Sequence, residues 1–204
     1  MKPTRLLLTL ALLGGCSILP ESEPLDIYPL PAKELPAQSP TVNWALKVET
    51  PNSERMLDST RILVVPKAAH INAYQGARWS EHAPELVRNR LLDAFRDDGR
   101  IQALSSDEQN LYADLALTST LRRFNSRYED GIVSTQIQLD AQLVNVRDQS
   151  IVASRRFKVS TPSATAQIGQ VVAAFGTAAD ELSQQVIHWV VETGSGLALA
   201  QPPK

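Results

Sequence analysis

Residues 133–143 read Val-Ser-Thr-Gln-Ile-Gln-Leu-Asp-Ala-Gln-Leu. From Gln136 to Leu143 polar and apolar side chains alternate without a break. Alternation with a period of two indicates a β-strand with one buried face and one exposed face. The alternation slips at Val144, which predicts a β-bulge at that point.

Strands are predicted on both sides of this segment. Residues 112–121 carry apolar side chains at alternate positions, and residues 151–160 follow a turn at 147–150. Short turns join antiparallel neighbours, so the three strands are expected to form a meander over residues 112–160. Earlier strands are expected at 44–49, 57–66 and 101–104, whereas 71–79 and 125–131 are expected to be irregular.

Two segments have helical periodicity. Pro84 suits the first turn of a helix whose apolar residues recur every three or four positions until Asp97-Asp98-Gly99. A longer stripe over residues 165–192 predicts a second helix that ends at Gly194-Ser195-Gly196. The expected fold class is therefore α+β: an antiparallel sheet with two helices packed on one face.

Composition excludes several classes of protein. The chain has 204 residues, 43% of them apolar and 21% charged, and a formal net charge of −2. These values suit one globular domain and exclude collagen-like, coiled-coil and wholly disordered chains. A pI of about 5.9 argues against a nucleic-acid partner. A single cysteine excludes an internal disulfide framework and a multi-cysteine zinc site.

The first 16 residues have the pattern of a secretory signal. Lys2 and Arg5 precede an apolar run at 6–13, and Gly14-Gly15-Cys16 follows. That run is much shorter than the roughly 20 residues that a membrane-spanning helix needs. The pattern resembles a bacterial lipoprotein signal, in which Cys16 would carry an N-acyl diacylglycerol group, palmitate included. The alternative is a free thiol within a signal that is cut elsewhere.

The sequence predicts four regions. These are a signal peptide at 1–15, a lipidated cysteine and proline-rich tether at 16–40, an α+β domain at 41–193 and a flexible tail at 194–204. Removing the signal leaves 18 basic and 22 acidic residues. The tether is expected to hold the domain up to roughly 50–70 Å from the membrane. Ser17 stands where an inner-membrane retention signal has Asp, so resemblance to bacterial lipoproteins implies the periplasmic face of the outer membrane.

No motif for catalysis is present in the sequence. His70, His82 and His188 lack the spacing of a metal site, and no Gly-x-Ser-x-Gly elbow or glycine-rich phosphate loop occurs. The acidic pairs at 97–98 and 129–130 fall at expected element ends, where carboxylates are solvated. We therefore expect no catalytic residues, no metal and no cofactor other than the lipid on Cys16.

Two groups of residues are candidate contacts with a partner. Basic side chains are expected near one end of the meander: Arg122, Arg123, Arg127, Arg155, Arg156 and Lys158. They suit a phosphate-bearing lipid or an acidic protein, or they protect a sheet edge from aggregation. Tyr74, Arg78 and Trp79 form the second group, which suits a contact hot spot or simple packing of a loop.

The order of several short motifs resembles a known family. A lipobox is followed by Tyr28-Pro29-Leu30, by the stretch from Leu57 to Ile62, by Tyr74 with Ala77-Arg78-Trp79, and by Pro84 at a leucine-rich helix. This order resembles the ABC-type transport auxiliary lipoproteins, the PqiC-like components of Mce-type lipid-transport systems. The resemblance spans residues 28–191 and carries over a defined role for Cys16 alone, as the acylated residue.

The resemblance implies a non-enzymatic outer-membrane lipoprotein for lipid transport between membranes. Its implied partners are an MCE-domain protein that bridges the periplasm and an inner-membrane permease with its ATPase, and a homo-oligomer is possible. Two alternatives stay open at this stage: an envelope scaffold or assembly lipoprotein that moves no lipid, and a lipid-anchored periplasmic hydrolase.

Overall fold

The computed structural model describes residues 24–200 apart from Ala69 and Asn110. The signal segment and Cys16 therefore lie outside the described residues, as does the end of the chain from Gln201. The described elements are β1 (Asp26–Tyr28), β2 (Leu46–Val48), β3 (Asn52–Ser53), β4 (Arg61–Lys67), β5 (His70–Trp79), α1 (Ala83–Asp98), β6 (Leu104–Ser106), β7 (Leu115–Glu129), β8 (Ile132–Asn145), β9 (Ser150–Pro162) and α2 (Ile168–Ala200).

The predicted meander is confirmed as β7, β8 and β9. Consecutive strands pair antiparallel along almost their full length. The β8–β9 register shifts between Leu143 and Val144, where the sequence predicts a bulge, and the additional residue is Val152 on β9. The expected loop at 125–131 is wrong, because β7 continues to Glu129 and turns through Asp130 and Gly131, whose φ angles are 50° and 78°. Paired positive φ values suit a two-residue hairpin turn.

The sheet is mixed rather than antiparallel, which corrects the predicted architecture. β8 lies along one edge of β7, and β2, β3 and β4 follow one another along its other edge, all three parallel to it. β1 is also parallel to its neighbour β5. Parallel pairing joins segments distant in the sequence, so hydrophobic alternation within one strand does not reveal it.

The segment at 71–79, expected to be irregular, is strand β5. It pairs antiparallel with β4, but the register shifts twice, and Gly76 has a φ of 65°. These irregularities break the alternation that would have identified the strand from its sequence.

Both helices cover one face of the sheet, as predicted, and the core lies between the helices and the sheet. Trp79, Phe124 and Phe175 meet at its centre, with ring centroids 4.8–5.6 Å apart. Helix α1 ends at Gly99, whose φ of 73° suits a C-terminal cap. Helix α2 continues to Ala200, through the glycines at which its end was predicted. None of the described helices is both long and apolar enough to cross a membrane.

The described part of the proline-rich segment lies against the domain. β1 adds to the sheet edge, and Leu30 and Leu35 pack against the core. Pro31 sits over Gly176 of α2, where an added Cβ would come within 2.8 Å of the Pro31 carbonyl oxygen. The chain is therefore packed on the domain from its first described residues, well before residue 41.

Candidate functional site

The histidines do not assemble a catalytic or metal site. Within the described ranges no group of three His, Cys, Asp or Glu side chains is placed to hold a metal ion. His82 precedes α1, and its Nδ1 lies 2.7 Å from Asp58, whose carboxylate raises the pKa of the imidazole through that hydrogen bond. His188 lies 3.8 Å from Glu192 on the exposed side of α2, and His70 begins β5. Most of the candidate contact residues lie instead on the surface of the sheet.

The sheet face opposite the helices, which we term the outer face, carries a row of cations. Ile27, Arg78 and Arg61 are paired across β1, β5 and β4. Arg123 and Lys158 are both paired with Gln138 of β8. Arg61 precedes Leu63 by two residues, and Arg123 precedes Asn125, the partner of Leu63, by two residues. Arg61 and Arg123 therefore lie at equivalent positions of the neighbouring strands β4 and β7, and the row continues across the sheet.

The cations of this row lack acidic partners. Among the described residues, no carboxylate lies within 4.0 Å of Arg61, Arg78, Arg123 or Lys158. Arg78 donates a hydrogen bond to the carbonyl of Ala77 at 2.8 Å, which leaves its charge uncompensated. Such side chains can bind phosphate or carboxylate groups from outside the chain.

A second group on the outer face is compensated in part. Asp140 accepts hydrogen bonds from Arg156 at 2.5 and 2.8 Å and from Arg122 at 3.1 Å. The Arg156 hydrogen bond, with a smaller contribution from Arg122, lowers the pKa of Asp140 from 3.8 to about 2. Two guanidinium groups thus share one carboxylate, and this group keeps a net positive charge.

A β-bulge in β7 places Arg122 and Arg123 on the same face. The register with β8 shifts between Leu121 and Arg123, so Arg122 is the additional residue. Leu121 and Phe124 are both buried although they are three positions apart, and that odd interval is the sequence signal of the bulge.

Two shallow cavities lie beside these side chains. The larger, about 430 Å³, includes Arg122, Asp140 and Arg156. The second, about 260 Å³, is lined by Arg122 and Arg123 together with Met56 and Ile71, which are 50% and 49% exposed. The outer face therefore combines cationic and apolar groups.

The structure divides the residues singled out from the sequence. Arg78, Arg122, Arg123 and Arg156 lie on the outer face, and Arg127 and Lys158 join them there. Arg155 pairs with Ala141 on the opposite face, and its guanidinium lies 5.2 Å from the centroid of Phe157. Adjacent residues of a strand point to opposite sides, yet Arg155 also lines the larger cavity together with Arg122 and Arg156.

Trp79 is an interior group, which corrects its assignment as a partner contact, whereas Tyr74 is half-buried. Trp79 is 1% exposed and belongs to the aromatic core. The Tyr74 hydroxyl lies 3.0 Å from the Ser126 hydroxyl, and burial raises the pKa of Tyr74 to about 12. The sequence analysis did not identify Arg61 as a contact residue, since only the β4–β5 register brings it beside Arg78.

Two solved structures share this fold, and one curated sequence is similar to this chain. A crystallised Xanthomonas campestris protein of the DUF330 family is 32% identical and superposes with a TM-score of 0.80, over 85% of this chain and 99% of that one. A second crystallised protein, 16% identical, covers 82% of this chain and 99% of its own, with a TM-score of 0.64. A curated Bradyrhizobium diazoefficiens protein is 28% identical over 74% of this chain, which spans 40% of that relative's length.

The sequence model of one family covers most of the described residues. It is the model of the ABC-type transport auxiliary lipoprotein component, and it matches residues 25–187, from the start of the packed N-terminal segment into α2. The family is an auxiliary transport component and no known class of enzyme. On this match, the chain belongs to the ABC-type transport auxiliary lipoprotein family.

Proposed function

We propose that this protein is an outer-membrane lipoprotein that serves, without catalysis of its own, as the auxiliary subunit of an Mce-type ABC system for lipid transport. The family match over residues 25–187 carries the proposal. The signal pattern that ends at Cys16 supports the anchor, since an N-acyl diacylglycerol group with several chains holds a protein durably in a bilayer. Ser17 supports the periplasmic leaflet of the outer membrane.

The proposed partners are an MCE-domain protein that crosses the periplasm and, through it, the inner-membrane permease and ATPase. A small α+β body with a charged exposed face suits docking, which requires a surface rather than a reaction cleft.

Crosslinking in intact envelopes tests this function. The acylated full chain is the bait, an unrelated outer-membrane lipoprotein is the control bait, and mass spectrometry identifies the captured proteins. Specific capture of an MCE-domain protein is the expected result. Capture of peptidoglycan-associated or outer-membrane proteins alone would assign a scaffold role instead and would contradict a role in lipid transport.

A further inference from the structure

We propose that the outer face lies against the anionic phospholipid surface of the membrane that holds the anchor, and that its row of cations binds lipid phosphate groups. The proposal rests on the lipid anchor at Cys16 proposed above. It goes further in assigning which side of the domain faces the bilayer and which chemistry that side recognises.

The place where the chain joins the domain limits its distance from the bilayer. Seven residues lie between Cys16 and Pro24, and the eight steps from one Cα atom to the next span at most about 26–29 Å in any conformation. Pro24 lies beside Gly76 at the β1 edge of the sheet, where its carbonyl oxygen is 3.8 Å from the position of an added Cβ. The anchor thus reaches the sheet at one edge and cannot hold the domain at the 50–70 Å expected from the sequence.

The width of the outer face is similar to the maximum length of the segment that joins Cys16 to Pro24. The strands β1, β5, β4, β7, β8 and β9 lie side by side, which gives five strand spacings of about 4.8 Å, or roughly 24 Å from β1 to β9. With the β1 edge held near the bilayer, the cations on β4, β5, β7 and β9 come within reach of the lipid headgroups.

The charges favour an anionic surface. The processed chain has more acidic than basic residues, yet Arg61, Arg78, Arg123 and Lys158 form a row without acidic partners in the described structure. Protection of a sheet edge explains Lys158, which lies on the edge strand β9. It does not explain Arg123, because β7 is paired along both of its edges.

The apolar side chains favour a lipid over an acidic protein. Leu25 and Ile27 occupy alternate positions at the β1 edge and are 52% and 63% exposed. Met56 and Ile71 are half exposed and line one cavity with Arg122 and Arg123. Apolar side chains beside cations allow a surface to enter the boundary between headgroups and acyl chains while it binds phosphate.

Fluorescence quenching in vesicles tests the orientation. The acylated full chain carries a fluorophore at Gln138→Cys, in the cationic row, or at Glu181→Cys, which is exposed on α2. Acylation consumes the Cys16 thiol, so each label is unique. The vesicles contain phosphatidylethanolamine with a nitroxide headgroup lipid, with or without phosphatidylglycerol at about 30 mol %.

The expected result is stronger quenching at position 138 than at 181, only with phosphatidylglycerol. Arg123→Gln is expected to lower about fivefold the ratio of molecules whose outer face contacts the membrane to molecules whose outer face does not. This is the effect of losing one cation near an anionic leaflet. Arg147→Gln is the matched control, because Arg147 is an exposed arginine in the β8–β9 turn, and it leaves the quenching unchanged.

Each other outcome contradicts a different part of the proposal. A chain that does not float with the vesicles overturns the anchor and this proposal together. A chain that floats, with equal quenching at both positions, overturns the orientation and leaves the anchor standing. Quenching that is independent of phosphatidylglycerol overturns the anionic chemistry. Protection of position 138 only after an envelope protein is added assigns the face to a protein partner.

Discussion

The Arg90 guanidinium of α1 donates two hydrogen bonds, of 2.9 and 2.7 Å, to one carboxylate oxygen of Asp180 on α2. The Arg90 side chain is 4% exposed and that of Asp180 is 11% exposed. Arg90 also donates to the Lys33 carbonyl oxygen at 2.9 Å, and the Lys33 amide donates to Asp180 at 3.4 Å. The ion pair therefore joins the two helices and fastens the N-terminal segment to both.

Replacement of Asp180 removes the only carboxylate that the described structure places within 4.0 Å of Arg90. Asp180→Ala leaves the buried guanidinium uncompensated and is expected to lower the free energy of unfolding by about 3–5 kcal/mol, measured by urea denaturation. Glu181→Ala, at the exposed neighbouring position, is the control and changes it by less than about 0.5 kcal/mol. A loss at position 180 as small as at 181 would contradict a structural role for the ion pair.

Gly176 is required by the close approach of Pro31. Gly176→Ala raises helix propensity by about 1 kcal/mol, but its Cβ would lie 2.8 Å from backbone and ring atoms of Pro31. We expect a net destabilisation of about 1–3 kcal/mol in thermal or urea unfolding. Gly169→Ala, also in α2, meets no atom within 4 Å and is expected to be neutral or slightly stabilising. Equal effects of the two substitutions would show that the packed segment does not constrain α2.

Cys16→Ala is expected to leave the domain folded and to release the protein from the outer membrane. Cys16 precedes the family match, which begins at residue 25, whereas acyl chains supply the membrane affinity at about 0.8 kcal/mol per buried CH₂ group. Density-gradient fractionation and incorporation of labelled palmitate measure the two effects. Retention of the variant in the outer-membrane fraction would contradict the anchor, and unchanged circular dichroism is the control for folding.

Local periodicity was sufficient to predict the meander and both helices. The alternation from Gln136 to Leu143 and the apolar stripe of α2 each reflect one face of one element packed on the core. β5 escaped prediction because Gly76 and two register shifts break its alternation. Strands were predicted at 44–49 and 57–66, where β2 and β4 lie, but their parallel pairing with β7 was not, because it joins distant segments and no local pattern encodes it.

The candidate surface was predictable only in part, for a related reason. The arginine-rich segments were visible in the sequence, but the side of the sheet to which each side chain points depends on bulges and on strand register. The bulge at Arg122 turns two consecutive arginines to one side, whereas Arg155 lies on the opposite face from Arg156. Arg61 and Arg78 are 17 positions apart, and only the irregular β4–β5 pairing makes them neighbours.

Asp140 links the stability of the sheet to the charge of its outer face. Arg156 and Arg122 lower its pKa from 3.8 to about 2, so the ionised form is stabilised in the folded state. The resulting stability is fully present above about pH 4 and is lost as the pH falls towards 2. Both guanidinium groups are about half exposed, so solvent screening keeps the contribution of these ion pairs to stability small.

Asp140→Asn is therefore expected to be less stable than the wild type at pH 7 and equally stable near pH 2, as measured by urea unfolding across that range. The substitution also frees Arg122 and Arg156 from their shared carboxylate, which raises the net charge of the outer face by one. Quenching by phosphatidylglycerol vesicles should then increase, although the protein is slightly destabilised. A variant that loses stability equally at both pH values would contradict the lowered pKa, and one that binds the vesicles more weakly would contradict the electrostatic orientation of this face.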